Sequence, residues 1–449
     1  MTTDNRHGGR LLAGILLLAA FASGATSAEK TPAPKLIAMA AHEATSPAFR
    51  QALTDTLGAD EMKKGTAFIG EGADFLWAVE SAVTPWLVVD EKPQVAMKRI
   101  KPTNLWFATG KLAVYAPHGF HYMVAGKKFG GSLNVTAYGP DSYAKPGVPQ
   151  GKLSEKMVHK SKIYDGMLSD WWIYAPAQYD ASKPAALTVW QDGQGHISRT
   201  GGPRTMNVVD NLIHQGRIPV MIQVFISPGD IAAAAGTPTY SFVSNFSKTT
   251  GRTLKDSMRS VEYDTVTGRY ARFLREEIIP EVASKYNIRK DAYSHGIQGS
   301  SSGAIAAFNA AWFEPDLFSR VLSHIGTYTS IQWQPGAIDG GNIYPFRVRK
   351  EEKRNLRVWL QDGSEDVESP HGSWPLQNIQ MANSLKLRGY DFHFSFGAGP
   401  HSGAHGNAEL PLSLAWLWRD YDPAKTEQLY EMEAAEKEKP LFRVKIANR

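Results

Sequence analysis

The sequence predicts an α/β protein in two parts: a small antiparallel β-sandwich over residues 66–150, then a larger domain over 151–425 built on a mainly parallel sheet. Three observations carry this. Residues 66–138 hold short apolar runs rich in Val and aromatic residues, with turn signals between them and almost no helical pattern. From 169 onward similar runs alternate with helical periodicity, and between the two regions lies a stretch, 139–151, dense in Pro and Gly. Successive short strands fold back on one another, whereas strands separated by helices demand crossovers and a parallel sheet covered on both faces. At 449 residues the chain also exceeds the usual reach of one hydrophobic core.

In chain order, residues 1–28 read as an export signal. Arg6 and Arg10 precede an apolar run over 11–22, and small residues follow to Thr26-Ser27-Ala28. The run is short for a membrane span, so a secreted or periplasmic protein without stable membrane association is expected. Residues 29–65 read as a linker with one short helix at 46–57. The sandwich strands are expected at Asp74-Phe-Leu-Trp-Ala-Val, Pro85-Trp-Leu-Val-Val, Asn104-Leu-Trp-Phe-Ala and His121-Tyr-Met-Val. Beyond the hinge, 169–175, 186–190 and 219–225 read as strands and 206–215 as a helix. Residues 263–286 read as one long amphipathic helix with Tyr270, Phe273, Leu274, Ile278 and Val282 on its apolar face. The mixed charges of 426–449 suit a solvated terminal helix or tail.

Composition narrows the chemistry. With no cysteine, thiolate nucleophiles, Cys zinc sites and disulfide frameworks are excluded. A net charge of +5 without an isolated basic block gives no nucleic-acid footprint. His393, His401 and His405 are close in sequence, but His393 falls within a strand and no second cluster completes a metal site, so neither a metal nor a cofactor is expected. Hydroxyl, imidazole and carboxylate chemistry remains.

The strongest local signal is Gly299-Ser300-Ser301-Ser302-Gly303, which fits G-x-S-x-G between a strand and the helix-forming run 304–311. A serine hydroxyl is a weak nucleophile unless a tight turn exposes it to a base, and glycines leave room for that turn. The spacing selects Ser301, and the Ser302 amide would form half of an oxyanion hole. The partners should follow in the order acid, then histidine. The strand 355–361 runs into Asp362-Gly-Ser-Glu-Asp366, where Asp366 is favoured over Asp362 and Glu365 because the turn at Gly363 should bring it back toward the site. The strand 390–396 runs into a glycine-rich loop with His401 and His405, of which His401 stands first. Gln191-Asp-Gly193-Gln194, just past a strand, is where the second oxyanion amide belongs, at Gly193 or Gln194. Arg259, Glu262, Trp333 and Trp374 are candidate substrate contacts.

These motifs resemble the esterase family that includes enterochelin esterases and carbohydrate esterases such as feruloyl esterases. The resemblance spans most of 66–425 and rests on Pro146-Gly-Val-Pro-Gln-Gly151, Ser161-Lys-Ile-Tyr164, Trp172-Ile-Tyr-Ala-Pro176, Gln191-Asp-Gly193, the 299–303 turn, Gly403-Ala-His-Gly406, Leu410-Pro411 and Trp416-Leu-Trp-Arg-Asp420. It implies an immunoglobulin-like sandwich ahead of an α/β-hydrolase domain, with Ser301 as nucleophile, Asp366 as acid and His401 as base. The export signal, and the absence of an aromatic residue soon after His401, set the chain apart from the siderophore-cleaving members. A carbohydrate, feruloyl or related phenolic ester, small or polysaccharide-linked, is therefore the expected substrate. A siderophore ester is the alternative within this chemistry. A catalytically inactive carbohydrate-binding protein, displaying Trp77, Trp86 and Trp106, is the alternative outside it.

Overall fold

The computed structural model describes residues 30–93, 95–232 and 255–445, so the expected export signal lies outside the described residues. Residues 29–65 differ from the expected linker. Three helices, Ala33–His42, Pro47–Leu57 and Ala59–Lys64, fill most of the segment. Ser46 caps the second by accepting from the Phe49 amide at 3.0 Å, with Pro47 in the first turn where its missing N–H costs nothing. Leu36, Ala40, Phe49, Leu53 and Met62 then bury against Leu76, Ala78, Ile100 and Phe107.

The strands beneath are β1 (Phe68–Glu71), β2 (Asp74–Glu80), β3 (Pro85–Val89), β4 (Val95–Ala96), β5 (Lys98–Ile100), β6 (Leu105–Lys111), β7 (Ala116–Val124) and β8 (Lys127–Ala137). They make two antiparallel four-stranded sheets, ordered β1-β2-β6-β5 and β4-β3-β7-β8. Phe75, Trp77, Val79 and Trp106 from one meet Leu87, Phe120, Tyr122 and Val135 from the other in a single core. Side chains alternate across a strand, so Leu76 and Ala78 point outward from that core, and the three helices are what they bury against. Of the three tryptophans, Trp77 and Trp106 are core; only Trp86 is exposed, at 42%.

A third sheet has eleven strands: β9 (Lys152–Leu153), β10 (Met157–Lys160), β11 (Leu168–Ala175), β12 (Ala186–Gln191), β13 (Met221–Ile226), β14 (Asp230–Ala232), β15 (Lys255–Ser257), β16 (His295–Ser300), β17 (Arg320–His324), β18 (Arg357–Glu365) and, after a small hairpin of β19 (Glu368–Ser369) and β20 (Gly372–Ser373), β21 (Asp391–Pro400). The order β13-β12-β16-β17-β18-β21 is parallel throughout, with β11 antiparallel beside β13. The fold is mixed α/β with a mainly parallel central sheet. The chain runs outward from β12 to β13 and then returns to β16 on the other side of β12. Such a reversal opens a crevice at the strands' carboxyl ends. Helices Ser302–Phe313 and Trp374–Leu387 cover one face, and Thr205–His214 and Ala404–Leu417 the other.

Two other expectations are corrected. The helix expected over 263–286 is interrupted: Arg259–Tyr263 stands apart, and Arg269–Phe273 passes through a π turn at Leu274–Ile278 into Ile279–Ala283. Pro280 has no N–H to close a regular α-helical bond, and the wider turn absorbs the break. The tail is not simply solvated either. Tyr430 and Met432 are buried, and the Tyr430 ring lies 4.7 Å from the Arg357 guanidinium.

Candidate active site

Ser301 stands alone between the end of β16 and the helix Ser302–Phe313, at φ 58° and ψ −124°. A non-glycine residue there stores about 1–3 kcal/mol of strain and must be held from outside. Four backbone bonds do so: the Ser301 amide donates to His324 O at 2.9 Å, and its carbonyl accepts from Ala304 N at 2.9 Å, Thr327 N at 3.2 Å and Ile305 N at 3.3 Å. The two glycines are steric requirements. A Cβ on Gly299 would stand 1.9 Å from Gly303 O, and one on Gly303 would stand 2.9 Å from Asp192 Oδ2 and 3.0 Å from Gln191 Cβ. The G-x-S-x-G spacing thus lets the helix close onto both its own strand and the loop after β12.

His401 follows β21 directly, and Asp366 follows β18. His401 Nε2 lies 2.8 Å from Ser301 Oγ, and Nδ1 lies 2.6 Å from Asp366 Oδ1. The strands bring the groups into reach because Gly363 and Glu365 bracket a bulge against β21, where a Cβ on Gly363 would stand 2.1 Å from Gly399 O. Burial works against charge on Asp366, yet the hydrogen bond and charge of His401 hold its pKa below the ordinary carboxylate range. With the carboxylate charged, Nδ1 keeps its hydrogen and Nε2 is free to accept from the serine.

Across the crevice, Asp192 adopts φ 53° and Gly193 opens a short 3-10 turn, Gly193–Gly195. Gly193 is packed so tightly that a Cβ would meet Ile226 N at 2.2 Å. The first amides of any helical turn lack partners within it, so Gly193 and Ser302 each present such an N–H from the two loops flanking Ser301. The Gln194 side chain is held by Ser227, its Oε1 accepting from Ser227 Oγ at 2.6 Å.

Residues 170–410, more than half of the chain, match the model of the family described as Putative esterase. The chain belongs to that esterase family. No curated protein sequence matches it. Among solved structures, the enterobactin esterase of Shigella flexneri in the presence of enterobactin is 16% identical, with 84% of this chain and 98% of that chain covered and a TM-score of 0.50. The enterochelin esterase of Shigella flexneri gives the same four figures. The ferulic acid esterase of Anaeromyces mucronatus in complex with ferulic acid is 18% identical over 64% of this chain and 98% of that one, with a TM-score of 0.45.

The competing residues in this esterase are otherwise engaged. Glu365 is exposed. Asp362 is buried, its Oδ1 accepting from Gly363 N at 2.8 Å. His405 meets Glu409 at 2.6 Å and Ser395 at 3.2 Å through the same Nε2, so this cluster cannot relay a proton from one ring nitrogen to the other. Burial pushes His196 and His324 down to about 4, which keeps both neutral. Among the described residues no group of three or more His, Asp or Glu is placed to hold a metal.

Two candidate substrate contacts have partners within the protein. Arg259 spans Asp192, with Nε on Oδ1 and Nη2 on Oδ2, both at 2.8 Å. It fastens the loop after β12. Glu262 is buried and accepts from Gly229 N at 2.7 Å; burial pushes its pKa up to about 8. Trp374, only 3% exposed, stands edge-on to His401 with ring centroids 5.7 Å apart, and its indole N–H donates to Thr327 Oγ1 at 3.2 Å. Trp333 is 53% exposed, on the segment after β17 that also carries Thr327. Thr327 itself was missed: its Oγ1 lies 3.3 Å from Ser301 Oγ. So was Asp192, although an acid directly after a strand end was the available signal. The N-terminal sheets also reach the site, since Ser402 Oγ, next to His401, bonds Asn134 Oδ1 of β8 at 2.5 Å.

Proposed function

We propose that this esterase is an exported serine hydrolase that cleaves a carboxylic ester through an acyl-enzyme on Ser301. The observation that carries the reading is a single imidazole bonded through opposite nitrogens to a strained serine and a buried carboxylate. Ser301 Oγ gives its proton to His401 Nε2 as it bonds the ester carbon, and the carbonyl electrons move onto oxygen. The Gly193 and Ser302 amides stabilise that oxyanion, a contribution of about 10²–10³-fold per donor. Collapse of the intermediate breaks the bond to the leaving alkoxide, which takes the proton from Nε2. Water then repeats the sequence against the acyl-serine, with His401 again accepting and returning a proton. The N-terminal part, with its two antiparallel sheets, is read as an immunoglobulin-like sandwich whose β8 edge supports the base.

The export signal favours an ester met outside the cytoplasm, so the substrate is a carbohydrate, feruloyl or related phenolic ester. A cyclic siderophore ester is the second reading, suggested by the structural likeness to the enterobactin esterase over 98% of that chain. Steady-state hydrolysis of acetylated sugars, feruloyl oligosaccharides, aryl esters and a catecholate trilactone, each against Ser301→Ala, distinguishes them. Preference for the trilactone would overturn the substrate assignment, and equal rates for wild type and Ser301→Ala would overturn the mechanism.

A further inference from the structure

The carboxyl that orients the imidazole has a second buried oxygen. Asp366 uses Oδ1 for His401 Nδ1 at 2.6 Å and for Val367 N at 2.5 Å, while its Oδ2 is buried and meets no N–H or O–H donor of another residue. Four positions earlier, at the carboxyl end of the same strand, Asp362 repeats the pattern: Oδ1 accepts from Gly363 N, and Oδ2 is buried without a donor. Asn378 lies beside Asp362: its Nδ2 donates to Gly326 O at 2.8 Å and Trp374 O at 3.0 Å, and its Oδ1 is a further buried atom without a partner.

Among the described residues no Lys or Arg forms an ion pair with Asp362 or Asp366, and Asp366 pairs with His401. The titratable group facing the pair is His401, from the end of β21; Glu365 is exposed on the intervening turn, and the helix Trp374–Leu387 turns the uncharged Trp374 and Asn378 toward it. Two carboxylates at about 4 Å repel by about 4 kcal/mol at an effective dielectric of 20, on top of the desolvation each suffers. One proton between the two Oδ2 atoms removes the repulsion and satisfies both orphaned oxygens.

We propose that Asp362 is a positioning residue that keeps its proton at working pH and donates it from Oδ2 to Oδ2 of Asp366, so that the pair holds one negative charge and aims Asp366 Oδ1 at the imidazole. Burial first, and then the hydrogen bond and charge of Asp366, push Asp362 far above the ordinary carboxylate range. The role follows from the split. With its charge shared, Asp366 fixes the ring without stabilising the imidazolium as strongly as a bare buried carboxylate would, which leaves Nε2 free to accept the serine proton.

This inference rests on the proposed catalytic reading, and its test separates the two. Asp362→Asn keeps a donor for Asp366 Oδ2, whereas Asp362→Leu removes it. The Asn variant should retain kcat/KM within about fivefold with its acid limb unmoved, while the Leu variant should lose about thirtyfold or more and shift that limb upward by about one pH unit, as unshared charge stabilises the imidazolium. Independently of turnover or of whether the Leu variant folds, the infrared difference spectrum of wild type minus Asp362→Asn at pH 7 should show the carbonyl band of a protonated carboxylic acid. The proposal stands if that band is present and Asn rescues what Leu loses. It falls if the band is absent or if Asn is as impaired as Leu. The spectrum does not depend on Ser301, so failure of the catalytic reading would show separately as an active Ser301→Ala enzyme.

Discussion

Replacing Arg259 with Ala separates fastening of the oxyanion loop from contact with substrate. Arg259 holds both oxygens of Asp192 at 2.8 Å, with the two side chains 33% and 24% exposed. A hydrogen bond to a charged group contributes about 1.5–3 kcal/mol, and the left-handed backbone of Asp192 stores about 1–3 kcal/mol that would be free to relax. The two are of similar size, so the loop should move without the protein unfolding. The ceiling on the damage is the loss of the Gly193 donor, about 10²–10³-fold in kcat. A partial displacement predicts a fall of about 10–100-fold in kcat, with KM changed less than about threefold, because the lost interaction acts on the transition state. Steady-state kinetics on a small aryl ester read both parameters, and Arg259→Lys, which keeps the charge but not the fork, should fall between. A tenfold rise in KM at unchanged kcat would refute the reasoning and return Arg259 to the substrate.

His401→Ala should lower kcat by roughly four to six orders of magnitude, whereas His405→Ala should lower it less than about tenfold while reducing the melting temperature; both are read from kinetics beside thermal unfolding. Glu262→Gln should raise the melting temperature by about 3 °C at pH 8 and leave it unchanged at pH 4, as calorimetry would show. The sign follows from a folded pKa of about 8 against an ordinary value near 4.3: the native state must take up a proton on folding between these pH values, and below both it need not. Gly299→Ala should leave little soluble, active enzyme, because its Cβ meets the Gly303 carbonyl at 1.9 Å and backbone cannot yield as a side chain can. Normal expression and kinetics of that variant would mean the turn is looser than described.

The strands were legible because period-two and buried runs are written directly in residue type, as in Asp74-Phe-Leu-Trp-Ala-Val. That run also held an unread signal. It is apolar on both faces, so a covering layer was required on each side, and the helices from Ala33 to Lys64 supply the second. Their weak periodicity hid them, because Ala positions count little on a hydrophobicity pattern yet pack closely. In the site, the glycine spacing around Ser301 singled out one of three consecutive serines. What separates Asp366 from Asp362 is a bulge set by the approach of Gly363 to Gly399, a distance between two strands far apart in sequence. Arg259 and Glu262 looked like rim charges because they precede a helix, and only the fold reveals that one is paired across 67 positions and the other is buried.

The reading depends above all on Ser301 being the group that attacks. Incubating the wild-type enzyme, Ser301→Ala and His401→Ala with an aryl phosphonate, followed by peptide mass spectrometry, tests this at the atom concerned. A single adduct on Ser301 in the wild type, much slower in His401→Ala and lost in Ser301→Ala, is the predicted result. An unlabelled wild type, or an adduct on another residue that abolishes turnover, would contradict it.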